Sequence, residues 1–247
     1  MEDKYNLTPE QSVFLAKKTI KENVYSGVKL EGINLTFPDT QAILDGVNVP
    51  SATIDEIQTI LNMRDAWKYV LKTLNDPFTL DYACKVNSYV ARNESLDWGV
   101  LRYGSVGIGG TDYKPPMPER RNVEENIKKI MDWDVSITEK AIHYFVWGSK
   151  QQLFWDGNKR TSLICANKIL LQHGHGILTI RDNNSVKFNK LLTKYYEEET
   201  GNTNYNNLVN FLYENGMEGI EFAKQPYQET EMQREMRMDR MDMDIER

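Results

Sequence analysis

The chain has 247 residues, of which 40% are hydrophobic, and its 30 basic against 36 acidic residues leave a net charge of −6. This is enough apolar material for one core, or a core and a cap, and it excludes a fibrous or wholly disordered chain. The acidic balance opposes general attraction to phosphate backbones, so no nucleic-acid surface is expected, though a local basic pocket can still take a nucleotide. The longest apolar run, Leu163 to Leu171, is interrupted by Asn167 and Lys168 and falls short of the ~20 residues a bilayer requires, so no membrane span is expected. The start, Met1-Glu2-Asp3-Lys4-Tyr5-Asn6, lacks the apolar block of a secretory leader. Cys84 and Cys165 lie in helical patterns without a partner at metal-ligand spacing. A cytoplasmic protein without a disulfide or zinc site is the expectation.

In chain order, Thr8-Pro9-Glu10-Gln11 reads as a helix start, with Val13, Leu15, Ala16 and Ile20 as its apolar stripe. Thr36 caps a second helix through Ala42, Ile43 and Leu44, which Gly46 stops. A third begins near Ser51 to Asp55 and carries Ile57, Ile60, Leu61, Ala66, Trp67, Val70, Leu71 and Leu74 at spacings of three and four. After Pro77 a helix over Thr79 to Val90 precedes Leu101 to Pro116. The glycines, β-branched residues and Pro-Pro stop of that segment suggest a short β-hairpin or flap, the one convincing strand signal. Helices follow at about Asn122 to Met131, Ser136 to Trp147, Thr161 to Gln172, Ser185 to Glu198 and Tyr205 to Tyr213. The fold class is mainly α with one small hairpin, organised as an N-terminal helical cap (1–75), a core (76–222) and a Met-rich charged tail (223–247). With methionine as almost its sole apolar residue, the tail cannot offset its ordering entropy, so a mobile tail or frayed helix is expected there.

Gln152-Leu153-Phe154-Trp155-Asp156-Gly157-Asn158-Lys159-Arg160-Thr161 lies between two helices. A glycine turn feeding a helix N-terminus gathers free N–H groups and the positive end of the helix dipole at one spot, which favours an anion. Lys159 and Arg160 add full charges, the latter as a planar donor fork. Asp156 would repel a bare phosphate, and a Mg²⁺ ion between them would resolve that conflict. Spacing alone leaves open whether this is an anion cradle or a helix cap with solvated charges.

From Phe154 onward the segment resembles the Fic/Doc signature H-x-F-x-[D/E]-[G/A]-N-[G/K]-R. The flanks agree: Gly99-x-x-Arg102 with the flap and Pro115-Pro116-x-Pro118 are similar to the family's target-docking region. Leu30-Glu31-Gly32 resembles the inhibitory motif [S/T]-x-x-x-E-[G/N]. The resemblance spans roughly residues 20 to 215. It implies a Fic-type helical bundle that moves AMP, or another phosphate-linked group, from ATP or another nucleotide to a hydroxyl of a target protein. Asp156 would then hold Mg²⁺. Gly157, Asn158, Lys159, Arg160 and Thr161 would bind phosphate, with Asp156 and Arg160 in the catalytic set. Gly107, Ile108 and Gly109 would form the docking flap, and Glu31 would be the regulatory candidate.

Three positions depart from the family pattern. Gln152 replaces the catalytic histidine, and an amide has no titratable nitrogen with which to accept a proton at neutral pH. Leu163 stands where adenylylating members usually place a second arginine, and Lys159 where they place glycine, a Doc-like ending. Gly27 replaces the Ser/Thr ahead of Glu31, so the usual glutamate lock is not expected in its usual form, although Glu31 could reach Arg160 instead. His143 is read as a hydrogen-bonded core residue, His173 and His175 as cap or loop residues, and Trp155 as a packing residue. Three readings follow: a Fic/Doc-like transferase of reduced activity, a non-catalytic nucleotide-binding or protein-interaction module on the same fold, or a purely structural helical protein that binds no phosphate. The nucleotide, the target protein and the oligomeric state are not written in the sequence.

Overall fold

The computed structural model describes residues 1–221. Threonine oxygens start four helices by accepting a bond from an otherwise orphaned N–H. Thr8 caps α1 (Pro9–Lys18), which ends at Thr19, and α2 (Ile20–Lys29) follows at once. Ile20, expected on the first stripe, therefore opens the second helix, while the Thr19 hydroxyl donates to Leu15 O at 2.9 Å. Thr36, Thr53 and Thr79 cap α3 (Phe37–Leu44), α4 (Ile54–Lys72) and α5 (Leu80–Val90). Then come α6 (Arg120–Asp132), α7 (Ile137–Gln151), α8 (Asn158–His173), β1 (Ile177–Leu178), α9 (Asp182–Tyr196), α10 (Thr203–Gly216) and β2 (Met217–Glu218).

The centre is α8, buried on all sides from Arg160 to Leu171, which is why its sequence shows no clean amphipathic stripe. It packs against α7, α5, α4 and α1. Gly148 of α7 lets the two helices close: a Cβ there would lie 2.4 Å from Ser162 Oγ. Two buried polar side chains in the middle of α8 are satisfied. Asn167 exchanges two hydrogen bonds with the backbone of Leu178, and the Lys168 ammonium is held by the carbonyls of Leu74 and Asp76 and by Gln172 Oε1. Burial lowers the Lys168 pKa to about 8. Side chains from the first 75 residues and from the rest join one contiguous core.

The expected hairpin is corrected. Residues 101–116 contain no paired strand; the two-stranded antiparallel sheet is β1 with β2, pairing Ile177 with Glu218 and Leu178 with Met217. Gly104, Gly107, Gly109 and Gly110 offer no cross-strand side chains, and Pro115 and Pro116 offer no N–H, so the flap lacks what holds a ladder together. No helix among the described residues is long and apolar enough to cross a membrane. The Met-rich tail lies outside the described residues.

Candidate functional site

The chain leaves α7 through a left-handed turn at Gln152 (φ 48°, ψ 58°), a conformation unusual for a residue with a side chain. The turn drives Leu153 and Phe154 into the core. Asn158 then ties the loop into a ring. Its Oδ1 accepts from Phe154 N at 2.8 Å, and its Nδ2 donates to Phe154 O at 2.9 Å and to Gln152 Oε1 at 3.1 Å. Gln152 Nε2 donates to Ser149 O at 2.7 Å, so both ends of its amide are engaged. Gly157 is required twice over: φ is 70°, and a Cβ would meet Val90 Cγ1 at 2.8 Å. As the N-terminal cap of α8, Gly157 brings no side-chain acceptor. The first N–H groups of α8 and its dipole therefore remain available to an anion.

Asn158, Lys159 and Arg160 form the first turn of α8, not a loop before a helix starting at Thr161. Arg160 is 1% exposed and surrounded by carboxylates. Its Nη1 donates to Glu94 Oε2 at 2.8 Å, Glu31 Oε1 lies 3.2 Å from Nε without hydrogen-bond alignment, and Asp156 Oδ1 lies 3.5 Å from Nη2. Burial alone would lower its pKa, but Glu31, Glu94 and Asp156 together hold it above the ordinary arginine value. Lys159 Nζ donates to Leu30 O. The end of α2 is thus fastened to the first turn of α8 through Lys159 and Arg160, and the expected reach of Glu31 to Arg160 is present. Asp156 is the most exposed of the three carboxylates, at 44% of its side chain against 25% for Glu31 and 14% for Glu94. Among the described residues no cluster of three metal-ligating side chains exists. Mg²⁺, however, is commonly held by one or two carboxylates together with substrate phosphates, and Asp156 fits that role.

Thr161 is withdrawn from the phosphate-binding set. It is buried, its N–H is used by Gly157 O at 2.8 Å, and its hydroxyl faces Asn87 Nδ2 at 3.1 Å. Gly107 and Gly109 of the flap have open space around them, while Ile108 turns back onto the core. Trp155 packs on the flap, edge-on to Tyr103 at 5.2 Å. His143 Nδ1 meets the Tyr205 hydroxyl at 2.6 Å, and His175 Nδ1 lies 2.8 Å from Tyr5 O; both are fixed away from the cradle. Two contributors were missed. Glu94 sits in an ordinary-looking loop whose signal is tertiary. Asn87, fully buried on α5, donates to Asp156 O at 3.0 Å and accepts from Gly99 N at 2.8 Å, and its signal was an amide on an apolar face.

Residues 77–170 match the family model described as Fic/DOC family. Residues 77–170 form a Fic/Doc domain. Relatives include proteins named protein adenylyltransferase Fic from Nematostella vectensis, 29% identical over 67% of this chain and 42% of the relative, and from Aedes aegypti, 26% identical over 70% of this chain and 36% of the relative. The matches thus span well under half of the length of these relatives. Two solved structures share the fold: Fic-1 from C. elegans (TM-score 0.65, 22% identity, 81% of this chain and 59% of that chain), and a Fic-domain signaling protein from Bacteroides thetaiotaomicron (TM-score 0.67, 18% identity, 84% and 86%).

Proposed function

We propose that the chain is a Fic-type protein adenylyltransferase, transferring AMP from ATP to a hydroxyl of a target protein, with its proton-transfer step attenuated by Gln152. The observation that carries this reading is the convergence, at the uncapped N-terminus of α8, of open N–H groups with Lys159, Arg160 and the exposed carboxylate of Asp156. In the reaction the target hydroxyl oxygen attacks the α-phosphorus, the bond to the β-phosphate oxygen breaks so that pyrophosphate leaves, and with no base at position 152 the hydroxyl proton passes to a phosphate oxygen or to water. Lys159 and the first turn of α8 would bind the departing phosphates, and Asp156 would hold Mg²⁺, which would supply positive charge against them. Arg160, next to them on the same turn, would add its charge once released by Glu31. The histidine of the family would take the hydroxyl proton, whereas Gln152 can position the hydroxyl but not deprotonate it. The flap around Gly107, Ile108 and Gly109 would dock the target segment.

One observation favours the second reading, a nucleotide-binding module without turnover: each end of the Gln152 amide already bonds to the protein, Nε2 to Ser149 O and Oε1 to Asn158 Nδ2. ATP labelled in its α-phosphate separates the two. Label on protein that is lost in Asp156→Ala supports transfer, and saturable ATP binding without label in any variant supports the module. Label arriving from the γ-phosphate instead would identify a phosphotransferase.

A further inference from the structure

The Arg102 side chain is 2% exposed, and every hydrogen bond of its guanidinium goes to a backbone carbonyl or to sulfur. Nε donates to Gln152 O at 2.6 Å and Nη1 to Gly104 O at 2.7 Å, with Met117 Sδ at 3.6 Å. Nη2 donates to the carbonyls of Pro115 and Pro116. The Arg102 N–H adds a bond to Leu153 O at 3.0 Å. Burying a cation against carbonyl dipoles alone is costly, and burial duly pushes this guanidinium's pKa down, with Tyr113 opposing. A planar fork of fixed donor directions supplies what an apolar residue of similar volume could not. One rigid group ties together the first foot of the flap (Gly104), its second foot (Pro115 and Pro116) and the carbonyl of the left-handed residue where the family keeps its base.

We propose that Arg102 is a positioning residue, holding both feet of the 101–116 segment against Gln152 so that the flap tip and the side chain at position 152 stay in fixed register. Without ladder bonds, the flap is held over the cradle by this clamp and by side-chain contacts such as that of Ile108 with the core. Tyr113, stacked on Tyr196 with ring centroids 6.1 Å apart, steadies its far side. Trp155, one residue before Asp156, reads the near side: a Cβ at Gly104 would lie 2.4 Å from its ring. The catalytic consequence rests on the transferase reading, but the clamp itself does not.

The test is fluorine NMR of the full chain carrying fluorotryptophan, without nucleotide. The chain has five tryptophans, with the Trp155 and Trp67 resonances assigned from Trp→Phe variants. Trp67, 1% exposed, lies in the core and reports the fold. In Arg102→Met and Arg102→Lys the Trp155 resonance is expected to move towards the solvent-exposed frequency and to gain a shift between H₂O and D₂O, with Trp67 unmoved. Lysine can keep a charge there but cannot reach all three elements in one plane. An unmoved Trp155, or Trp155 and Trp67 moving together, overturns the proposal; if Arg102→Met does not fold, Arg102→Lys decides. Absence of label transfer in Gln152→His would sink the transferase reading and leave this result standing.

Discussion

At position 152 the backbone already has the left-handed turn, the ring of bonds through Asn158 and the anchor from Arg102, so replacing the amide by an imidazole changes the chemistry more than the geometry. Gln152→His is expected to raise label transfer by about 10²–10⁴-fold, the usual contribution of a general base, as read from initial rates with α-labelled ATP. Arg160 has a different vulnerability. It balances Glu31, Glu94 and Asp156 from a buried position, so Arg160→Ala is expected to destabilise the fold by about 1–3 kcal/mol, because three clustered, partly exposed carboxylates lose the cation between them. Urea unfolding measures this, and a midpoint equal to that of the parent would contradict it. The contiguous residues from Gln152 to Arg160 were legible in the sequence, since a turn and a helix start are local features. Glu94 and Asn87 were not, because the fold brings them to the site from 66 and 69 residues away.

On the scale of elements, the α7–α8 pair depends on close approach at Gly148. Gly148→Ala is expected to cost about 1–3 kcal/mol through overpacking against Ser162, and Ser162→Ala in the same chain should recover part of it in the same unfolding assay. The α2 strap acts on the site itself: Glu31 sits on the arginine that phosphates would use. Glu31→Ala is therefore expected to tighten ATP binding in calorimetry, whereas unchanged affinity would mean that Arg160 stays with Glu94. Helix starts at Thr8, Thr36 and Thr79 were legible because capping is a short-range signal. The flap was misread as a hairpin because glycine and β-branched composition marks extended backbone without saying whether a partner strand exists. The two-residue strands β1 and β2 are too short for any period-two pattern.

For the molecule as a whole, burial keeps two histidines easier to leave neutral than in the unfolded chain. Burial lowers His143, with Glu139 opposing. Burial also lowers His173, helped by His175, Lys168 and Lys140 and opposed by Asp3. The unfolded chain then binds more protons below the ordinary histidine pKa of about 6.5, so stability is full above that value and falls as pH drops through it. A urea midpoint at about pH 5.5 is expected below that at about pH 7.5, with a smaller difference in His143→Gln; a midpoint that rises on acidification would contradict this. The mainly helical class was legible in the sequence because most apolar residues recur at helical spacing. The role of α8 as the buried axis was not, because a helix covered on all sides loses its periodic contrast. A nucleotide cradle that serves AMP transfer is tested most directly by incubating the chain and Gln152→His with α-labelled ATP, Mg²⁺ and a cell extract as a source of targets. The parent is expected to label protein faintly, Gln152→His strongly, and Gln152→His with Asp156→Ala not at all; no labelling by Gln152→His would contradict AMP transfer.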